Sequence, residues 1–340
     1  MTKTVAPKKI LVVKNRAMGD AVLGLSAIQY CQDIFPKVKI TYATPEWMEQ
    51  LFIGEDKLIE KVIPLKFKSI FDWWSTYNIL KKEKYDVILE LNQSGRSGSF
   101  FKLFSRLQKT PYYFHNHNFK QGDFVVDQGL RKPNIQRDLD FIFSYATKIL
   151  NLSLPIPNYL HYEPKLENNS KKEQVLILGV VATRETKMWP SHYWPQFLTL
   201  FHEHYPQWKV LIPVSGNDLD QKIMKEIFPD RVPHYVECLE LPLDKLKTVL
   251  KKGTLYIGND TGLKHLSIAL GMKSLSFFGP EEPLEWHPYN QTRHAYFFVE
   301  PLECRTLTSH YCGLNHCSVM ACMKPFTPEK VLQKSISLLS

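Results

Sequence analysis

Short apolar runs alternate with longer amphipathic ones through the first half of the chain. Residues 10–13 precede an amphipathic stretch at 21–35, residues 38–43 precede one at 46–52, and residues 87–91 precede one at 98–107. Brief, continuously apolar runs fit buried strands, and longer runs with apolar positions gathered on one face fit helices. Their alternation predicts a parallel sheet covered on both faces, with ligands gathering beyond the carboxyl ends of the strands. Between residues 151 and 174 turn formers and charges replace the periodicity, as in Leu-Pro-Ile-Pro and Glu-Asn-Asn-Ser-Lys-Lys-Glu. Such a composition predicts a domain linker. The alternation then restarts, with strands expected at 175–180, 209–213, 255–258 and 274–278 and helices at 194–205, 242–251 and 262–270. At the end, Thr327-Pro328-Glu329 carries a cap residue, a proline and an early acid, and predicts a final helix running to about residue 339.

A chain of 340 residues has the length of roughly two domains of about 150 residues each. Its 44% hydrophobic and 13% aromatic residues can fill two cores, which excludes disorder and fibre. The longest apolar stretch, residues 175–182, falls far short of the roughly 18–20 residues of a membrane-spanning helix. Near the start only residues 10–13 are apolar before Lys14, too few for the hydrophobic region of a secretory signal. A cytoplasmic chain is the expectation. The formal net charge of +9 suits a polyanionic partner such as a phosphorylated lipid, a nucleotide or nucleic acid.

Three loops carry candidate chemistry. The first strand leads through Asn15-Arg16-Ala17-Met18-Gly19-Asp20 into a helix expected to open at Ala21. Its glycines, Gly19 and Gly24, do not make a phosphate-cradling Gly-x-Gly-x-x-Gly loop. What it offers is a carboxylate: Asp20 could cap the helix, or could act as a general base toward an attacking hydroxyl. In the second half a strand runs into Asn259-Asp260-Thr261-Gly262-Leu263-Lys264-His265 and an apolar helix, whose first N–H groups and dipole favour an anion such as pyrophosphate. Asp260 or Thr261 could equally be a cap, and His265 could be packed in a core. The third loop, Ala182-Thr183-Arg184-Glu185-Thr186-Lys187-Met188-Trp189-Pro190, brings cations to another strand end. Lys187 could neutralise a leaving phosphate or be a solvated surface lysine. Together these loops suit group transfer from a nucleotide donor, with a carboxylate from one domain facing a phosphate site of the other.

The ordered set of Lys9-Ile10-Leu11-Val12-Val13-Lys14 through Met18-Gly19-Asp20-Ala21-Val22-Leu23, Tyr85-Asp86-Val87-Ile88, Lys187-Met188-Trp189-Pro190, and Gly258-Asn259-Asp260-Thr261-Gly262-Leu263-Lys264-His265 with Phe278-Gly279-Pro280 resembles the ADP-heptose lipopolysaccharide heptosyltransferases, glycosyltransferase family 9. The late Cys304-Arg305 and Pro328-Glu329-Lys330-Val331 stretches extend the likeness over most of the chain. The resemblance implies an α/β chain of the GT-B fold, two Rossmann-like parallel domains with an interdomain cleft. It implies an acceptor-side domain over 1–160, an ADP-sugar-binding domain over 161–325, and a C-terminal helix over 326–340 that returns to the first domain. It also implies inverting heptose transfer from ADP-heptose to a Kdo-containing inner-core acceptor, and no cofactor for the chemistry.

By the same resemblance Asp20 is the catalytic base, Lys187 the donor-phosphate lysine, and Asp260, Thr261, Gly262 and His265 the donor-binding motif. Thr183 and Arg184 fall near the phosphate-side loop, Leu241 near an adenine-packing position, and Asp218 is a weaker candidate for the ribose. Asp20, beside a helix start, is expected to stay ionised at pH 7 and to owe its role to placement more than to a raised pKa.

Such an enzyme must reach a glycolipid at the inner-membrane surface. Residues 66–74 and Lys81-Lys82-Glu83-Lys84 interleave bases with aromatics, a composition that suits a peripheral interface or a helix packing its aromatics inward. Arg96, Arg131 and Arg137 are candidates for acceptor phosphate or carboxylate contacts. Cys304, Cys312, Cys317 and Cys322, interspersed with His310 and His316, could hold a structural Zn or Fe ion or could be free thiols, because their spacing is not the paired C-x2-C of zinc ribbons. Relatives with cysteine-rich ends that modify proteins keep a protein or another glycan as an alternative acceptor. A reading from another class is a basic nucleotide-binding or nucleic-acid-binding module without catalysis, although the chain carries no helix-turn-helix, RNA-recognition or zinc-finger signature. A nucleotide-sugar epimerase of the same fold is a further alternative.

Overall fold

The computed structural model describes residues 6–116, 121–122, 132–305 and 312–340. The chain divides into two compact units, Met1–Glu167 and Asn168–Ser340. In the first, strands β1 (Lys9–Val13), β2 (Lys39–Pro45), β3 (Lys61–Leu65), β4 (Val87–Glu90), β5 (Tyr112–Asn116) and β6 (Gln121–Gly122) form a sheet of order β3-β2-β1-β4-β5-β6. All its pairings are parallel except β5 with β6. Its helices are α1 (Met18–Leu23), α2 (Leu25–Ile34), α3 (Glu49–Phe52), α4 (Ile70–Leu80), α5 (Gly95–Gln108) and α6 (Asn134–Ser144). Residues Ile10 to Val13 of β1 are wholly buried, as a strand covered on both faces must be.

The second unit repeats the plan. Strands β7 (Val175–Gly179), β8 (Lys209–Val214), β9 (Val236–Glu240), β10 (Leu255–Asn259), β11 (Lys273–Phe277) and β12 (His294–Phe297) give the order β12-β11-β10-β7-β8-β9. Every pairing in it is parallel. Around the sheet lie α7 (Tyr193–His204), α8 (Asp218–Ile227), α9 (Leu243–Leu250), α10 (Gly262–Ala269), α11 (Pro283–Trp286) and α12 (Pro328–Leu339). In both sheets the strand order reverses at the first strand of the unit, between β1 and β4 and between β7 and β10. Ligands of doubly wound sheets bind beyond the carboxyl ends at such a switch point.

Two features differ from the sequence-based expectation. The helix expected from Ala21 starts at Met18, with the Ala21 N–H donating to the Ala17 carbonyl at 3.0 Å, and breaks at Gly24 into α1 and α2. Asp20 therefore lies in the first turn of a helix rather than before it. The final helix, expected as a separate element over 326–340, belongs to the second unit: α12 packs on α7 and β11, and Lys273 Nζ donates to the Leu338 carbonyl at 2.5 Å. Val331 and Leu338, apolar positions seven residues apart, seat it in the second core. Among the described residues no helix is long and apolar enough to cross a membrane.

The carboxyl end of β4 holds a buried acid. Glu90 accepts hydrogen bonds from the Ser97 and Tyr112 hydroxyls, and burial pushes its carboxyl up to about 7 from an ordinary 4.5. Between those values the folded chain keeps a proton that the unfolded chain has lost, so stability falls as pH rises from about 4.5 to about 7. Glu90→Gln should remove that loss, which is at most about 3 kcal/mol. Thermal unfolding should show the variant gaining on the wild type between pH 5 and pH 8; a constant difference between them would contradict the assignment.

Candidate functional site

In the first unit, β1 runs directly into Lys14, whose side chain is fully buried. Lys14 Nζ donates to Asp138 Oδ2 at 2.7 Å, and His115 Nε2 lies 2.8 Å from Asp138 Oδ1. The three come from β1, β5 and α6, so the tertiary fold alone brings them together. Burial pushes the Asp138 carboxyl up, but Lys14 and His115 more than reverse this and hold it at about 2. For His115 burial outweighs the pull of Asp138, so the imidazole stays neutral more readily than a free histidine. Nε2 also faces the Asn92 N–H at 3.2 Å, and Nδ1 has no hydrogen-bond partner.

Asp20 is in the first turn of α1, where a carboxylate is favoured by the helix dipole, yet the N-cap is Ala17 and no side chain caps the helix. The capping role is therefore not used. Desolvation raises the Asp20 pKa, with Lys14 and Arg16 opposing it and Asp138 adding to it. The shift is upward, where the sequence attributed the role of Asp20 to placement more than to a raised pKa, because the removal of water around Asp20 exceeds the stabilisation by the two cations. Lys14 thus lies within electrostatic reach of both Asp20 and Asp138. Of the arginines expected near an acceptor, Arg96 is exposed at the start of α5, Arg137 is buried on α6, and Arg131 lies outside the described residues.

In the second unit three loops leave the adjacent strands β7, β10 and β11 at their carboxyl ends. The buried Asn259 ties two of them together, since its Oδ1 accepts from the Trp189 N–H and its Nδ2 donates to the Val180 carbonyl, both at 2.8 Å. Trp189 stacks on Phe277 with ring centroids 4.8 Å apart, and its Nε1 donates to the Phe326 carbonyl at 2.8 Å. This anchors the turn carrying Lys187. The third loop comes close at Gly279, where a Cβ would stand 2.8 Å from the Thr186 carbonyl oxygen, so only glycine lets the loops approach this far.

The result is an ion cluster around Asp260. Its Oδ2 is 3.2 Å from Lys187 Nζ, its Oδ1 is 2.5 Å from Lys264 Nζ, and His265 Nε2 lies 4.0 Å away. Glu281 pairs with Arg184 and lies 3.8 Å from Lys187. Lys264 also donates to the Trp286 carbonyl at 2.8 Å and sits 4.7 Å over the Phe278 ring. Burial would raise the Asp260 carboxyl, but Lys264, Lys187 and His265 hold it well below the usual range. Burial lowers the Lys264 pKa despite Asp260, whereas Asp260 and Glu281 outweigh burial at Lys187 and raise it. Burial and the adjacent Lys264 depress His265, which pairs through Nδ1 with the Tyr289 hydroxyl at 2.5 Å.

Arg184, Lys187 and Lys264 outnumber Asp260 and Glu281, and the cluster adjoins the start of α10. Thr261 occupies the N-cap position of that helix without a side-chain capping bond, and Gly262 is its first residue. An excess cation beside uncapped N–H groups fits a phosphate-bearing ligand.

The remaining sequence candidates lie apart from this cluster. Thr183 is exposed in the loop after β7, Leu241 follows the edge strand β9, and Asp218 is exposed in the first turn of α8. A cavity of about 640 Å³ on the other side of the Arg184 turn includes neither Lys187 nor Asp260.

The expected Zn or Fe site is not assembled among the described residues, where no group of three or more His, Cys, Asp or Glu is placed to hold a metal. Cys304, Cys312, Cys317 and Cys322 are free, burial pushes the Cys322 thiol up to about 11, and Cys317 Sγ accepts the Met320 N–H at 3.4 Å. His310 lies outside the described residues.

Sequence reasoning missed Lys14, His115, Asp138, Lys264 and Glu281 as members of charged networks. The available signal for Lys14 was a charge set directly after a fully apolar strand; for Lys264 it was the i, i+4 spacing from Asp260.

The sequence profile of glycosyltransferase family 9 (heptosyltransferase) matches residues 73–311, more than half of the chain. The chain is 21% identical over 308 residues to lipopolysaccharide heptosyltransferase 1 of Escherichia coli K12, covering 81% of this chain and 89% of that protein. The structure of E. coli ADP-heptose LPS heptosyltransferase II superposes with a TM-score of 0.72 at 18% identity, covering 97% of this chain and 98% of that one. E. coli heptosyltransferase WaaC with ADP-2-deoxy-2-fluoro heptose gives 0.68 at 18% identity, covering 98% and 100%. These likenesses establish the GT-B arrangement of two parallel-sheet α/β units.

Asp138→Ala would leave the buried Lys14 ammonium without its counter-charge and should destabilise the first unit by about 3–5 kcal/mol. Urea unfolding should show the loss, and the pair Lys14→Met, Asp138→Leu should restore much of it. An unchanged midpoint in Asp138→Ala would contradict the pairing.

Proposed function

The chain belongs to glycosyltransferase family 9, and from that premise we propose that it transfers heptose from ADP-heptose to a lipopolysaccharide inner-core acceptor with inversion at the anomeric carbon. A glycosyltransferase needs a catalytic site, so the reading as a binding module without catalysis gives way. The observation that carries the proposal is the cluster of Arg184, Lys187 and Lys264 beside the uncapped start of α10. Those groups meet the charge of a diphosphate, and Lys187, at 3.2 Å from Asp260 against 2.5 Å for Lys264, is the lysine assigned to a leaving phosphate oxygen.

In the proposed reaction Asp20 takes the proton of an acceptor hydroxyl as its oxygen attacks the anomeric carbon. The bond from that carbon to the β-phosphate oxygen breaks, and ADP departs carrying the electron pair. Lys187, Arg184 and the α10 N–H groups stabilise the negative charge as it develops. One attack on the face opposite the leaving group inverts the centre. The upward shift of Asp20 by desolvation makes it a stronger base, and Lys14 and Arg16 limit that shift. Lys14, bonded to Asp138, acts electrostatically on the Asp20 carboxylate. The acceptor is a glycolipid with a Kdo-containing core, met at the cytoplasmic face of the inner membrane.

Incubation with ADP-heptose and a deacylated Kdo-containing core should add one heptose to the glycan by mass spectrometry. Asp20→Asn should lower kcat by about 10²- to 10⁴-fold, the usual worth of a general base, with ADP affinity little changed. Full activity in that variant would refute the assigned base. Wild-type kcat/KM should fall on the acidic side as Asp20 takes up its proton, and this limb should be missing from the residual activity of Asp20→Asn.

A further inference from the structure

We propose that the outer faces of α4 and α5 in the first unit form a docking surface for an anionic phospholipid bilayer. The start of α4 is fixed by a reciprocal cap: the Asp72 N–H donates to Ser69 Oγ at 3.2 Å, and the Asp72 carboxylate accepts the N–H groups of Ser69 and Lys68 at 2.8 and 2.9 Å. From that start the helix divides its large side chains between two faces. Trp73, Tyr77 and Leu80 turn inward to the core. Ile70, Phe71 and Trp74 turn outward and are 74%, 80% and 66% exposed. Trp74 stacks on Tyr77 with centroids 6.4 Å apart, yet most of the Phe71 and Trp74 surface stays in solvent.

Helix α5 lies alongside. Tyr77 meets Phe104 and Trp73 meets Phe100 with centroids 5.6 Å apart in each case, and Gln108 Nε2 donates to the Tyr77 hydroxyl at 2.7 Å. Both helices thus pack their inner sides into one cluster and present their outer sides together. On α5 that side adds the exposed Leu103 and Leu107.

The charge around these apolar groups is mostly positive, the acids being Asp72 in the cap and Glu46, which pairs with Lys66. Lys66 and Lys68 precede α4, Lys81 and Lys82 follow it, and Lys102 and Arg106 lie on the exposed side of α5. Lys81 Nζ sits 5.8 Å over the Trp74 ring. Residues 95–109 contain no acid, and the one acid in residues 66–82, Asp72, is engaged in the cap. Aromatic and aliphatic side chains ringed by lysine and arginine match the headgroup region of an anionic membrane, where rings enter the acyl boundary and cations meet lipid phosphates. This deepens the reading of a glycolipid acceptor, yet it rests on surface composition, so either can fail without the other.

The test is flotation of the purified full chain with vesicles of phosphatidylethanolamine and phosphatidylglycerol, and with vesicles of phosphatidylcholine alone. The wild type should bind the anionic vesicles, bind the zwitterionic ones weakly, and release as salt is raised. Phe71→Ser with Trp74→Ser, and separately Lys81→Glu with Lys102→Glu, should each weaken binding by about ten-fold or more. Thermal unfolding midpoints and transfer to the deacylated soluble acceptor should stay near wild type in both. Should the serine variant unfold, the charge-reversed one, altered only at exposed lysines, still decides. Failure of the wild type to bind anionic vesicles, self-association in their place, or equal binding by folded variants would overturn the proposal. Vesicle binding without heptose transfer would leave this surface standing and remove the acceptor reading instead.

Discussion

The second unit is organised by one buried carboxylate that cannot stand alone. Asp260 emerges at the end of β10, out of water, and its charge is tolerated only because Lys187 and Lys264 approach it from two sides. Removing such groups from water costs on the order of several kcal/mol per ion, and an apolar cluster of equal volume is often as stable. The surrounding architecture serves this arrangement. Asn259 clamps the β7 loop to β10, Trp189 anchors the turn, and Gly279 admits the β11 loop closely enough for Glu281 to engage Arg184. A set of cations held by carboxylates at a helix start is prepared for a polyanion, whose oxygens can replace those contacts without rearranging the backbone.

The first unit solves a related problem with the same sheet order. Lys14 continues β1 into the interior, and Asp138 on α6 and His115 on β5 complete its polar environment. Asp20 follows one turn later, raised by desolvation and restrained by the same lysine. Lys14 thus lies at the carboxyl end of β1 and Asp260 at that of β10, each strand beside the point where the order of its sheet reverses. In a doubly wound sheet the loops diverge there and leave room for a ligand.

Much of this was legible in the sequence, for physical reasons that also explain the gaps. Fully buried parallel strands read as continuous apolar runs, so β1, β4, β7 and β10 stand out. The edge strand β9, Val-Glu-Cys-Leu-Glu, is largely exposed and shows no such run. The Asp260, Gly262 and His265 motif is local in sequence and could be seen at once. Lys14, His115 and Asp138 are separated by up to 124 positions, and no periodicity encodes their meeting. The outward aromatics of α4 were visible as composition, but which rings pack and which face solvent depends on where the Ser69 cap starts the helix. The cysteine spacing suggested a metal; Cys304 and Cys312 lie within electrostatic reach of Cys322, but among the described residues they form no group placed to hold one.

The central claim is that the Asp260 cluster receives the diphosphate of the donor. Isothermal titration of the wild type and Lys187→Met with ADP and with adenosine tests it most directly. Loss of a charge-assisted contact to phosphate should weaken ADP binding by about ten-fold or more, while adenosine, which has no phosphate, should bind both proteins alike. Equal ADP affinity in the two proteins, or a parallel loss for adenosine, would contradict the account.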